Sequence, residues 1–204
     1  LGQKRGLELQ DASGDLADLA AFIGNEAGRP ILAATSGGRW LKALPLDDAS
    51  VALAIVRVSE LEWLVAGRSR GGEARAWRHR PLMWDAEELA SAPARAFTAC
   101  AALRDRELGL AVGSDGVVLR VERGRVDVTQ LPQAPNLASV AVDPLGRAWA
   151  GGAGQLWFSP NSGISWQLVW QDERWTAPFV SIFADVGLVF AATADGAVLE
   201  ARGG

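Results

Sequence analysis

The stretch Leu110-Ala111-Val112-Gly113-Ser114-Asp115-Gly116-Val117-Val118-Leu119-Arg120-Val121 reads as two short strands joined by a tight turn. Its apolar and small residues suit extended backbone, and Asp115-Gly116 supplies the positive φ that a hairpin needs. Four other stretches share the pattern of a large apolar residue, small residues and a turn: Leu32-Ala33-Ala34-Thr35, Leu64-Val65-Ala66-Gly67, Trp149-Ala150-Gly151-Gly152 and Phe190-Ala191-Ala192-Thr193. Their last residues follow one another, with Gly113 in place, at spacings of 32, 46, 39 and 41 residues. Beyond three of these four lies another glycine turn, Ser36-Gly37-Gly38, Ala153-Gly154 or Ala194-Asp195-Gly196, and then a further strand: Arg39–Ala43, Gln155–Ser159 and Ala197–Ala201. Upstream of the five lie Leu19–Ile23, Ser50–Val56, Thr98–Leu103, Ala138–Val142 and Val180–Ala184, rich in Ala, Ser and small β-branched residues.

Strand periodicity with a turn-bounded unit of about 40 residues is the signature of a β-propeller. The expected fold is therefore all-β, a single domain over residues 1–204, with five four-stranded antiparallel blades at roughly 10–46, 47–93, 94–133, 134–172 and 173–204 plus 1–9. The small first strands suit crowding around a central channel. The fifth repeat shows three strands, so Gly6–Leu9 is expected to close the ring by pairing with Ala197–Ala201. The same count also suits an arc of a six- or seven-bladed ring. The second repeat has vague borders, its hairpin spans Arg68–Ala74, and Asp85–Ala92 reads as a loop or short helix ended by Pro93.

Composition narrows the functions. The 204 residues carry 20 basic and 24 acidic side chains, and a formal charge of −4 gives no global basic field for nucleic acid. No apolar run approaches the ~18–20 residues of a membrane-crossing helix; the longest surrounds Ala49–Val56. One cysteine excludes an internal disulfide and is compatible with cytoplasm or periplasm, cytoplasm being the expectation. One histidine excludes a multi-histidine metal site, and no cofactor is expected. Eighteen arginines against two lysines suggest a GC-rich, bacterial genome rather than a binding task.

One segment carries a recognisable motif. Ser159-Pro160-Asn161-Ser162-Gly163-Ile164-Ser165-Trp166 resembles the Asp-box, or BNR repeat, with Asn161 in place of the usual aspartate and Ser165 in place of threonine. The resemblance implies a β-propeller, with the box in the hairpin between a blade's third and fourth strands. There Ser159, Asn161, Gly163, Ser165 and Trp166 would hold a turn rather than touch a ligand. The other repeats lack it.

Enzymatic roles find little support. Asp-box sialidases use a tyrosine nucleophile, and this chain has no tyrosine. Asp115, Asp143, Asp185 and Asp195 all fall in hairpins, where aspartate is a turn residue. His79, between Arg78 and Arg80, reads as an exposed loop histidine, and Cys100 as a small packing residue in a strand. No phosphate loop, CxxC pair or HExxH spacing is present.

Two binding features remain. Arg68, Arg70, Arg75, Arg78 and Arg80 cluster in the second repeat with Glu73 as the one acid among them, a candidate contact for an acidic protein partner. Of the nine tryptophans, Trp149, Trp40 and Trp157 align with core positions, whereas Trp84, Trp170 and Trp175 lie near blade edges and Trp84 is a candidate partner contact. The expected function is a non-catalytic interaction module, similar to photosystem-assembly-factor propellers, that docks a protein through its loops. The alternative is a lectin-like propeller holding a glycan or small ligand between blades.

Overall fold

The computed structural model describes residues 7–41 and 43–202. They form five antiparallel sheets, with two single 3₁₀ turns and no α-helix among the described residues. The chain makes two compact units, one reaching Phe97 and the other beginning at Thr98.

The first unit holds sheets one and two. Sheet one runs β1 (Leu7–Gly14), β2 (Leu19–Glu26) and β3 (Arg29–Ser36), with two short strands, β4 (Arg39–Trp40) and β5 (Leu44–Pro45), both paired to β3. Sheet two runs in chain order through β6 (Ala49–Arg57), β7 (Trp63–Ser69), β8 (Ala74–Arg80) and β9 (Asp85–Ala92). Leu19, Ala21, Ile23 and Leu32 from sheet one pack against Ile55, Trp63, Val65 and Trp77 from sheet two. Alternation along each strand aims these side chains at one face.

Two expectations fail here. The N-terminal strand does not close the fifth sheet: β1 pairs with β2, from Leu7 opposite Glu26 to Gly14 opposite Ala20, and Gly6 lies outside the described residues. The cause is local. Asp15 folds a short turn, its Oδ1 accepting from the Ala17 N–H and its carbonyl from the Asp18 N–H, so β1 meets β2 at small loop-closure cost. Asp11 Oδ2 then accepts from the Ile55 N–H at 2.9 Å, and Ser13 Oγ from the Arg57 N–H at 2.8 Å, tying β1 to the first strand of sheet two. The repeated stretch is consequently the second strand in sheets two to five but the third strand, β3, in sheet one. Arg39–Ala43 is likewise no third strand; only Arg39–Trp40 pairs, as β4.

Asp85–Ala92 is neither loop nor helix but the strand β9. Its residues favour helix in isolation, yet the free edge of β8 offers it backbone hydrogen bonds and a row of arginines, and tertiary pairing overrides propensity.

The second unit holds three sheets. Sheet three is β10 (Phe97–Leu103), β11 (Leu108–Gly113), β12 (Val117–Glu122) and β13 (Arg125–Gln130). Sheet four is β14 (Leu137–Val142), β15 (Ala148–Gly152), β16 (Gln155–Ser159) and β17 (Gln167–Gln171). Sheet five has three strands, β18 (Phe179–Asp185), β19 (Leu188–Thr193) and β20 (Val198–Arg202). One core joins sheets three and four through Leu108, Leu110, Val118, Val140, Ala150 and Trp157; another joins four and five through Trp149, Leu156, Phe179, Val189 and Ala191. In the β11–β12 turn Gly116 holds φ 71°, and a Cβ there would stand 2.6 Å from that of Ala134.

Candidate interaction surfaces

The arginines of the second repeat separate into two groups. Arg75, Arg78 and Arg80 lie on β8, in a strand rather than a loop, and β9 sets acids against them. Arg75 pairs with Glu88 at 3.2 Å and Arg78 with Glu62 at 3.5 Å. Arg80 holds Asp85, with Nε 3.0 Å from Oδ1, and reaches Glu87 at 3.5 Å. Glu73 thus has four acidic companions, all brought in by pairing that the linear order hides. Arg68 and Arg70 are exposed and hold no ion pair among the described residues; Arg68 Nε donates to Ser50 Oγ.

His79 corrects a further expectation. It sits one residue from the end of β8 with no exposed surface, because the alternation of β8 points it, like Trp77, into the core-facing side. Its Nδ1–H donates to the Asp85 carbonyl at 2.9 Å, while Nε2 is buried without a partner. Burial pushes the imidazole below its ordinary value, and the Asp85 carbonyl and carboxylate oppose that only in part.

The turn between β16 and β17 is a dense hydrogen-bonded knot. Asn161 Oδ1 accepts from the Ser165 N–H at 2.9 Å, Ser159 Oγ accepts from the Gly163 N–H at 2.9 Å, and Trp166 Nε1–H donates to the Gly163 carbonyl. Gly163 holds φ 81°, where a Cβ would stand 2.7 Å from Leu110 Cδ2. Trp166 is half-buried against the core shared by sheets three and four.

The reading of the linear chain passed over Arg120. It lies on β12 at 6% exposure, and its Nε donates to the Ser162 carbonyl inside the turn at 2.9 Å. Nη1 meets Asp127 at 3.3 Å and Nη2 meets Glu122. The signal was present: in Val117–Glu122, Arg120 shares a face with buried Val118, and a charge on a core face requires partners. Beside it opens a groove of about 400 Å³ whose charges, Arg120 and Arg125 against Glu122 and Asp127, neutralise one another.

The apolar surface lies elsewhere. A groove of about 390 Å³ between sheets four and five is walled by Trp149, Phe158, Val169, Trp170 and Leu199, with Arg147 and Arg202 also lining it. Trp170 packs edge-on to Trp175 at 5.0 Å, and both contact Phe179, which accounts for two of the edge tryptophans. Trp40 leans on Phe22 at 5.6 Å and stays partly exposed. Trp84 occupies the β8–β9 turn.

The hairpin aspartates do turn work. Asp143, fully buried, accepts from the Leu145 and Arg147 N–H groups and pairs with Arg147 Nε at 2.7 Å. Asp195 is held below the usual carboxylate range by the Thr193 hydroxyl. Asp115 stands in the β11–β12 turn, and Asp185 caps the β18–β19 turn by accepting from the Val186 N–H. Cys100 is half-buried on β10. Among the described residues no three His, Cys, Asp or Glu side chains converge as a metal site, and no helix is long and apolar enough to cross a membrane.

No protein-family model matches the chain, and no curated protein matches it. Among solved structures it is similar to the crystal structure of the WD40 β-propeller domain of Doa1, with a TM-score of 0.64 over 98% of this chain and 66% of that one. The fold is a β-propeller. At 12% sequence identity the likeness speaks for fold alone, and the chain spans just under two thirds of that structure's length. The five sheets are the blades of this propeller, and the apolar groove is a gap between blades four and five.

Proposed function

We propose that the chain is a non-catalytic interaction module that docks a protein partner, with the groove between blades four and five as its anchor site. The carrying observation is the wall of that groove: Phe158, Val169, Trp170 and Leu199 reach the surface in one concave strip above buried Trp149. Aromatic and aliphatic pockets of this kind are where binding energy concentrates. Arg147 and Arg202 edge the same groove but are held by Asp143 and Glu200, whereas Arg68 and Arg70 hold no ion pair among the described residues, so carboxylates on a partner suit the blade-two surface and apolar anchors suit the groove. Box-like hydrogen bonding at Ser159–Trp166 supports a structural role for that turn, in keeping with an Asp-box propeller.

The test is capture of partners from the native host by the tagged chain. Val169→Asp with Ala201→Asp, at two exposed positions lining the groove, should abolish capture while leaving the melting temperature near the parent's. Arg68→Glu with Arg70→Glu should weaken it in a salt-dependent way. Capture unchanged by the groove variant overturns the assignment of the site.

A glycan-binding reading has one observation in its favour. A shallow pocket of about 330 Å³ sets Trp175 beside Gln155, Gln171, Glu173 and Thr176, an aromatic face with amide and hydroxyl partners. A glycan array returning saturable binding that Trp175→Ala removes would favour it over docking.

A further inference from the structure

We propose that a cavity between blades one and two is a binding site for a cationic side chain, the ammonium of a lysine or the guanidinium of an arginine presented by a protein. The cavity, of about 390 Å³, lies where blade one's outer edge is thin: Leu44–Pro45 is its last strand and covers only two residues of β3. Trp77 and Trp84 form its aromatic wall. Trp77 is anchored in the blade-one and blade-two core, so its indole is fixed. Trp84 is held at φ 55°, a left-handed conformation costly for a bulky side chain. Strain of that kind persists where the surroundings dictate the placement, and here it keeps a second indole at the cavity.

The charge around these indoles selects the ligand. Four carboxylates line the cavity, Asp47, Asp48, Asp85 and Glu88, and among the described residues no cationic side chain does. Arg80 already holds Asp85, and Arg75 holds Glu88. Asp47 and Asp48 are exposed on the turn into β6 and make no ion pair among the described residues; Arg70 donates its backbone N–H to the Asp48 carbonyl, not its guanidinium to the carboxylate. The Trp84 indole, backed by buried Trp77, lies beside two carboxylates with no ion pair among the described residues, a setting that attracts a cation and repels an anion. Leu44, Leu46 and Ala86 give an aliphatic surface for the methylenes of the incoming side chain. The site is separate from the blade-four and blade-five groove and stands or falls independently of it.

The experiment follows the indole N–H signals of the 204-residue chain in two-dimensional NMR. The probes are N-acetyl-arginine amide, N-acetyl-lysine amide, neutral N-acetyl-citrulline amide, and a peptide with one arginine between neutral residues. The expected result is a saturable shift of the Trp77 and Trp84 signals with the cationic probes and none with citrulline. Asp47→Asn with Asp48→Asn keeps the turn chemistry and should weaken binding about tenfold. The peptide should bind more tightly than the amides. Equal shifts with citrulline, or unchanged affinity in the double variant, overturn the site; an amide binding more tightly than the peptide overturns its assignment to a protein side chain.

Discussion

Arg120 Nε donates to the Ser162 carbonyl at 2.9 Å from a position that water barely reaches, so one guanidinium fastens the outer turn of blade four to the third strand of blade three. Glu122 and Asp127 take its other edge. Removing one member of a buried charged network leaves the rest unpaired, at a cost of about 3–5 kcal/mol. Arg120→Met should lower the unfolding free energy by about that amount in urea titration. A loss within experimental error would show that the carboxylates and carbonyl find water instead.

The turn it holds should be equally sensitive. Trp166→Ala removes a half-buried indole that both packs and donates to the Gly163 carbonyl, and should cost about 2–4 kcal/mol. Gly163→Ala meets two penalties, a left-handed φ and a clash with Leu110, and should cost about 1–3 kcal/mol. A melting curve unchanged for Gly163→Ala would mean that the turn relaxes away from blade three.

Asp11→Ala tests where the N-terminal strand belongs. The Ile55 N–H loses its acceptor, which should cost about 1–2 kcal/mol. Hydrogen exchange should speed up at Ile55, on β6, while the amides of β20 keep their protection. Faster exchange in β20 would return β1 to blade five.

His79 sets a pH dependence. Its folded pKa lies below its unfolded value of about 6.5, so the unfolded chain binds the proton more readily. The stabilisation from keeping it neutral is full above about pH 6.5 and is lost as pH falls through that value toward the lower, folded pKa. The melting temperature should therefore drop between pH 7 and pH 5.5, ahead of carboxylate protonation. Because the chain has one histidine, His79→Gln should flatten that slope. A wild-type slope that persists in the variant would assign it to another group.

Much of the site lay hidden for a definite reason. Acids that neutralise Arg78 and Arg80, Asp85 and Glu87, are five to nine residues away along the chain, on a strand whose composition, Asp-Ala-Glu-Glu-Leu-Ala-Ser-Ala, reads as helix. Only the antiparallel register of β8 and β9 places Glu87 opposite Arg78 and Asp85 opposite Arg80. The cavity at Trp77 and Trp84 was equally illegible, since it joins the end of one blade to the outer strands of the next.

Glycine-turn hairpins are local, and the sequence alone determined them. Asp-Gly and Gly-Gly pairs demand positive φ within a few residues, apolar and small residues flank them, and the period near 40 residues follows, so repeat number and fold class were readable without coordinates. Tertiary structure decided which strand fills an open edge. Backbone donors and acceptors on a sheet edge accept any extended partner, and the choice rests on side-chain contacts across strands: Asp11 and Ser13 bonding to β6 carry β1 into blade one, and the arginines of β8 draw in β9. Pairing of β8 with β7 and β9 buried His79, whose neighbours in the chain, Arg78 and Arg80, had marked it as exposed.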